Sequence, residues 1–375
     1  MVAIASGGVV ALAGCAATSS PAAPSPVPSA QIVMTGARTG FAIWPSGVRW
    51  IVLGTADGWR TVQNRTPVAV PTDGGLVLAA RDRQEAVGVL PYQQLTVSPV
   101  LRSTGSGRVW DPSQLPSALL PAPSSLSLSE QAAFAVLADG SMVRSPTGSS
   151  TWTRVPSFGP SAAAPSTRAT GVVFPDGRAG FVTATGPGDH PVLFAGAESA
   201  GAWTPVGLPL AGSGIAVALP PCLAGSTWVA PVAQNGRLLA FTAPTSRGPW
   251  TRGPDLAAPA TPLVACSAHR IWAVLHADGG DVLATSEPGG AWTMRGSVGG
   301  RLSSLAPVSD TEAFAAGADP SGVVRITLTS DSTAMTERLP LPDWVATIGG
   351  ASMRNCAKPA LQAMAPSDRC APVRG

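Results

Sequence analysis

AAFAVLADGSMVRSPTGSSTWTRVP, Ala132 to Pro156, and RIWAVLHADGGDVLATSEPGGAWTMRG, Arg270 to Gly296, are built on one plan. Each opens on a short apolar run and turns at an Asp-Gly pair, Asp139-Gly140 or Asp278-Gly279. Such pairs supply the positive φ angles that two-residue hairpins need. A second run follows, then a turn rich in Ser, Thr and Gly, then a Trp. Asn235-Gly236 marks the same hairpin in a third stretch, and Asp319-Pro320-Ser321-Gly322 a looser one in a fourth.

Working outward, the closing residue recurs at Trp59, Trp110, Trp152, Trp203, Trp250, Trp292 and Met335, in steps of 42 to 51 residues. Ahead of the hairpins lie further short apolar runs: Gly214–Leu219 (GIAVAL), Pro262–Ala265 (PLVA) and Ser303–Ala306 (SSLA). They read as strands buried on both faces. Four strands per repeat, at a period in the forties, predict an all-β, seven-bladed β-propeller of four-stranded antiparallel blades over residues 31–350. One blade cannot bury both its faces, so the units must stack around an axis. The 42 Gly and 38 Pro among 375 residues suit a turn-rich chain and leave few windows for a long helix.

The second turn resembles the Asp-box, or BNR repeat: Ser/Thr, any, Asp, any, Gly, any, Thr, Trp. Ser145–Trp152 (SPTGSSTW), Thr285–Trp292 (TSEPGGAW), Gly196–Trp203 (GAESAGAW) and Ser103–Trp110 (STGSGRVW) each keep part of the pattern. Asp57 and Asp331 lie near the box position with shortened spacing to the closing residue. In this role the polar side chain accepts backbone N–H bonds in the turn, and the Trp fills space between sheets. The closing residues are therefore expected to be scaffold.

The best-known bearers of the box are sialidases, which resemble one another in an Arg triad, a Tyr nucleophile paired with Glu, an acid-base Asp and a Phe/Tyr-Arg-Ile-Pro motif. That motif is missing, and the one tyrosine, Tyr92, falls in a hairpin turn. A glycosidase needs two carboxylates at fixed separation. The acids outside evident turns are Asp82, Glu85, Glu130 and Glu312, of which the last three precede second strands and suggest loops at one rim. The histidines His190, His269 and His276 show no metal-ligand spacing, and no phosphate loop or nucleophile elbow occurs. The sequence thus offers no catalytic, cofactor-binding or metal-binding residue.

The N-terminus reads as an export signal. Val2–Leu12 is apolar, and Leu12-Ala13-Gly14-Cys15 resembles the lipobox of bacterial lipoproteins, which implies a signal peptide over 1–14, cleavage, and a diacylglycerol on Cys15. Residues 15–30 read as a Pro/Ser/Ala tether that cannot pack a core. Four cysteines remain in a chain expected to be exported. Cys222 and Cys266 each precede a Trp (Trp228, Trp272) by six residues, so they hold equivalent places in successive repeats, where a bridge near the axis is feasible. Cys356 and Cys370 bracket a segment of the tail, 351–375, and are expected to close a loop.

The net charge of +3 is no nucleic-acid footprint. Arg60, Arg154, Arg252, Arg295 and Arg338 follow the closing residues closely, and read as charges protecting outer strand edges. The combined expectation is a non-catalytic lipoprotein on the outer face of the bacterial cytoplasmic membrane. It would take a protein or carbohydrate ligand at a rim of the channel, with no cofactor and no nucleic acid. Two other readings stand beside it. One is a divergent glycoside hydrolase. The other is an extracytoplasmic assembly factor, since an exported, Asp-box-like propeller also resembles the photosystem II assembly-factor family.

Overall fold

The computed structural model describes residues 29–347, except 48, 68–74, 82–83, 90–99, 104, 106, 113–122, 150, 156–167, 187–190, 199–202, 211–215, 318–321 and 332. The described chain is almost all strand, in sheets that follow one another along the sequence. Inner strand first, the first sheet is Gln31–Met34, Gly40–Ser46, Arg49–Thr55 and Gln63–Asn64, and the second is Leu76–Arg81, Gln84–Val89, Val100–Ser103 and Asp111–Pro112. The third is Pro123–Leu128, Ala132–Leu137, Met142–Pro146 and Thr153–Arg154, and the fourth Arg168–Val173, Ala179–Thr185, Pro191–Ala197 and Thr204–Val206. The sixth is Leu263–Cys266, Ile271–Leu275, Val282–Ser286 and Thr293–Ser297, and the seventh Leu302–Pro307, Glu312–Gly317, Gly322–Leu328 and Ala334–Pro340.

The remaining sheet, the fifth, departs from this plan and corrects the expectation of seven four-stranded blades. Among the described residues six blades are four-stranded, and the fifth sheet has six strands. Its central pair is Thr227–Gln234 and Arg237–Ala243, and short strands flank it two to a side: Ala216–Ala218 with Cys222–Ala224, and Thr251–Arg252 with Leu256–Ala257. Pro220-Pro221 and Pro254 sit at the two breaks. Proline has no N–H for a ladder, so each flanking row is interrupted there. Of the hairpins expected at Asp-Gly and Asn-Gly pairs, only Asn235-Gly236 turns on the pair itself. At Asp139-Gly140, Leu137 bonds to Ser141 across a three-residue loop with Gly140 alone at positive φ, and at Asp278-Gly279 the positive φ falls on Gly280. Asn235 and Gly236 both take positive φ (50° and 72°), as the two-residue turn requires.

Each sheet packs on the next, and the closing Trp of one sheet fills the gap to the sheet before it. Trp59 lies among seventh- and first-sheet residues such as Phe314, Val323 and Trp44. Trp152 packs with Ala79 and Val100, Trp203 with Phe134, and Trp250 with Phe181. Trp110 and Trp292 are half-buried at the corresponding places. Gly196 makes room for the indole of Trp203, since a Cβ there would come within 2.8 Å of the ring. Met335 breaks the series, being 61% exposed. Its neighbour Ala334 packs against the core between the sixth and seventh sheets instead. Strand alternation then turns Met335 to the other face, so the expectation that it closes a blade does not hold.

Among the described residues the ring closes by packing and side-chain bonds. The inner strand Gln31–Met34 lies beside Leu302–Pro307. Ser304 Oγ accepts from Ile32 N (3.1 Å), and Ser303 Oγ donates to Ala30 O (2.7 Å). After the seventh sheet the chain turns into a short helix, Asp343–Thr347. Val345 is buried in the core between the last and first sheets, and its carbonyl accepts from the buried hydroxyl of Ser46 at 2.5 Å.

Candidate functional site: the central channel

Inner strands have one edge without a ladder partner, so their backbone groups need other partners. Inner-strand side chains supply several of them across sheet boundaries. Gln31 Oε1 accepts from Leu78 N, Ser125 Oγ from Val172 N, and Ser127 Oγ from Phe174 N. Between the fifth and sixth sheets the link is covalent: Cys222 and Cys266 form a disulfide with Cα atoms 5.7 Å apart. Cys15, Cys356 and Cys370 lie outside the described residues.

These strands enclose a cavity of about 460 Å³ on the axis. The seventh, first and third sheets give it Ser303, Ser304, Gln31, Ser124 and the entering residue Ser29. The fifth and sixth give it Leu219, Pro220, Pro262, Leu263 and Val264, with Thr261 at the start of the strand. Leu76, Val77, Ile43 and Leu305 complete an uncharged wall: no Asp, Glu, His, Lys or Arg lines it among the described residues. An isolated charge moved into such a wall would forfeit its hydration without a counter-charge. The cavity therefore suits uncharged groups.

The acids expected near a rim are engaged elsewhere. Glu130 pairs with Arg178 at 2.9 Å and lies 4.0 Å from Arg81. Glu312 pairs with Arg325 at 2.6 Å. The hydrogen bond to the carboxylate raises the pKa of each partner arginine above its ordinary value. Glu85 lies in the strand Gln84–Val89, whereas Asp82, Tyr92 and His190 lie outside the described residues. His276 Nδ1 is 2.9 Å from buried Asp281, whose other oxygen accepts from Leu302 N. His269 gives its backbone N–H to Asp310. Among the described residues no three His, Cys, Asp or Glu could share a metal ion.

The box-like turns are held chiefly by a hydroxyl. Thr55 Oγ1 accepts from Trp59 N, and Ser103 Oγ from Gly107 N. Ser145, Ser286 and Thr329 donate to the carbonyl four residues on. In the sixth sheet this places the turn one residue later than the Thr285 register. Asp57 and Asp331 add a carboxylate. Bonds from the Thr61 N–H and hydroxyl lower the pKa of Asp57, and bonds led by the Thr329 hydroxyl lower that of Asp331. Glu198 does something else: its carboxylate reaches back to Ser129 Oγ (2.5 Å) and to Gln131 N of the preceding sheet.

Sequence reasoning missed the arginines between sheets. Arg102, 8% exposed, reaches from the second sheet into the third, where its Nη1 donates to Ser145 Oγ, Pro146 O and Ser149 O. Burial lowers its pKa. Arg144 lies over the Phe134 ring, 5.9 Å from its centroid, in the next interface. Arg65 lies 3.0 Å from where a Cβ on Gly54 would sit and 3.1 Å from one on Gly107. Arg295, expected at an exposed edge, is half-buried and donates to Thr285 Oγ1 at 2.7 Å. Burial and then nearby Arg270 lower its pKa. An arginine on the third strand was the available signal, but Arg102, Arg144 and Arg325 lie inside their strands whereas Arg49 and Arg237 only begin theirs.

No family model matches the chain, and no curated protein matches its sequence. Solved structures do match. YCF48 bound to a D1 peptide has 16% identity and a TM-score of 0.57, covering 81% of this chain and 93% of that one. A GH74 xyloglucanase from Xanthomonas campestris has 16% identity and a TM-score of 0.60; 83% of this chain corresponds to 54% of the enzyme, so the chain spans about half its length. A putative 6-phosphogluconolactonase from Bacteroides uniformis has 13% identity and a TM-score of 0.54, covering 84% and 98%. At these identities the likeness is one of fold, and it agrees with the sheets and axial channel described above: the chain is an all-β β-propeller.

Proposed function

We propose that this propeller is a non-catalytic binding protein, exported and lipid-anchored through Cys15, that engages an uncharged segment of a protein partner at the mouth of its channel. The observation that carries the reading is the channel wall, where among the described residues apolar side chains and hydroxyls stand without one charged group. Glycoside hydrolysis by the common route needs two carboxylates flanking one bond, and the described residues of the wall offer none. Among the described residues the wall also has no aromatic platform, which favours a polypeptide over a sugar ring. YCF48, a structural neighbour, is bound to a peptide, which supports the plausibility of such a scaffold and no more. The degenerate box turns fit descent from Asp-box propellers. The signal peptide (1–14), tether (15–30) and tail loop closed by Cys356 and Cys370 belong to the same reading.

Immobilised protein would be challenged with solubilised cell envelope, either untreated, protease-treated or periodate-oxidised. Binding that survives periodate, vanishes with protease and is lost in Leu263→Glu is the expected pattern. Loss on periodate alone would point to a glycan, and release of shortened glycan would establish an enzyme.

A further inference from the structure

Several inner strands have their channel edge closed by a side chain of the strand beside them. In an antiparallel pair, residues alternate between bonding to the partner strand and pointing both peptide groups to the far edge. In the first sheet Thr35 N donates to Thr39 O at 2.9 Å, so counting back along the register leaves Ile32 pointing to the channel. There Ser304 Oγ of the seventh sheet meets both of its groups, 3.1 Å from N and 3.3 Å from O. Gln31 likewise meets Leu78 N of the second sheet, and Ser125 and Ser127 meet Val172 N and Phe174 N of the fourth. The sixth and seventh sheets differ. Ser267 N donates to Arg270 O at 2.9 Å, and Val308 N to Glu312 O at 2.9 Å; the same count leaves Val264 and Leu305 pointing to the channel. Both line the axial cavity, beside Leu219 of the fifth sheet and Leu263 of the sixth, whose side chains carry no polar atom. Among the described residues no side chain bonds to the N–H or C=O of either. This side of the cavity therefore shows donors and acceptors that still need partners.

We infer that the partner docks by its main chain: an extended, uncharged stretch of polypeptide lies along the sixth and seventh inner strands and bonds to the peptide groups of Val264 and Leu305. The inference rests on the reading of the channel as a protein-binding site and adds how that site recognises its partner. A polypeptide carries a donor and an acceptor at each residue, and in extended form repeats them at the spacing of the strand it meets. It also brings no charge to a wall that offers no counter-charge. Recognition of this kind takes its affinity from main-chain bonds and leaves selectivity to alternate side chains.

The test reads amide hydrogen exchange in the purified full chain in mild detergent, resolved to single residues by mass spectrometry with electron-transfer fragmentation. In the free chain the Val264 and Leu305 amides should exchange fast, and that of Ala265, which faces Trp272 in the ladder, slowly. The probe is an acetylated, amidated pentapeptide of alternating threonine and valine at millimolar concentration. It should slow both channel amides by about tenfold, and its fully N-methylated twin, which has no N–H to donate, should slow neither. Val264→Pro removes a donor that the ladder does not use. It should bind the peptide about tenfold more weakly, as for one lost hydrogen bond, while melting close to Val264→Ala, which should bind as the unaltered chain does. Ala265→Pro takes a bond from the ladder and should melt below both. A slow Val264 amide in the free chain, slowing by neither peptide or equally by both, or undiminished peptide binding by Val264→Pro would overturn main-chain docking. Envelope capture separates the two readings. Capture that persists undiminished in Val264→Pro would overturn this mode and leave the proposed function standing. Peptide protection without any capture by the unaltered chain would support the docking edge and remove the proposed function.

Discussion

Arg102 shows how one side chain can hold two sheets together. Its guanidinium satisfies two carbonyls and a hydroxyl of the neighbouring turn. Arg102→Met keeps much of the bulk but leaves those acceptors without their donor, so stability should fall by about 1–3 kcal/mol. Arg102→Lys should recover only part of that loss, since an ammonium lacks the planar fork; urea unfolding of both variants measures it. Trp152 and Met335 form a second contrast. Trp152→Ala should cost about 3–5 kcal/mol, as for a large buried aromatic. Met335→Ala should stay within about 0.5 kcal/mol, as for an exposed residue. Equal losses in the two would contradict the one-residue displacement on the last strand.

Asp310 carries the pH dependence at this scale. Burial raises its pKa, but bonds from the Ser267 hydroxyl and the His269 N–H outweigh this and bring it below the ordinary 3.8. A carboxylate whose folded pKa is depressed stabilises fully above its unfolded value, and the contribution disappears as pH falls through the folded one. Melting temperature should therefore drop as pH descends below about 3.8. Asp310→Asn should melt lower near neutrality and lose part of that acid slope. A wild-type slope retained in full by the variant would show that Asp310 does not contribute to it.

Among the elements, the hairpins were the most legible. Asn235-Gly236 turns as its residues require because a two-residue loop leaves no other backbone solution, whereas Asp139-Gly140 sits in a three-residue loop in which only Gly140 takes positive φ. The fifth sheet was not legible. GIAVAL reads as one strand from Gly214 to Leu219, yet among the described residues the strand ends at Ala218 and the row resumes at Cys222 beyond two prolines. The bonds from Ser304 to Ile32 and from Gln31 to Leu78 were equally hidden, because partners so distant in sequence meet only once the ring exists. The disulfide was readable, since the repeat places both cysteines alike and the inner rows run close together. Cys222→Ser should lower stability by about 2–4 kcal/mol. Calorimetry under oxidising conditions would measure it, and reducing agent should bring the wild type down to the variant.

For the whole molecule, period and patterning sufficed to give the propeller, because nearest-neighbour stacking is the one way for such units to bury both faces. The channel's chemistry was less accessible, since its wall is assembled from residues scattered between Ser29 and Leu305 that carry no motif. The anchor is argued at this scale too. No helix among the described residues is long and apolar enough to cross a membrane, and the diacylation proposed for Cys15 would supply the two chains that lasting attachment requires. Cys15→Ser should shift the protein from the membrane fraction to the medium, or stall its processing, while circular dichroism of the folded part stays unchanged. A variant that remains processed and membrane-bound would show a different attachment.

The disulfide between the fifth and sixth sheets sets the order in which the circle can be undone. A closed array of stacked units has no frayed end, so unfolding must first make one. The bridge bars that junction from serving, because the sheets on either side stay tethered after they part. The junction of the seventh and first sheets has no covalent tie among the described residues: two serines, a buried aromatic cluster and one helix carbonyl hold it. It is also where the two extremities of the fold meet, so parting them stretches no intervening loop. The molecule behaves as a bracelet with a riveted link on one side and a clasp on the other. The amides beside the clasp, Ile32 foremost, should exchange with solvent before those beside the rivet.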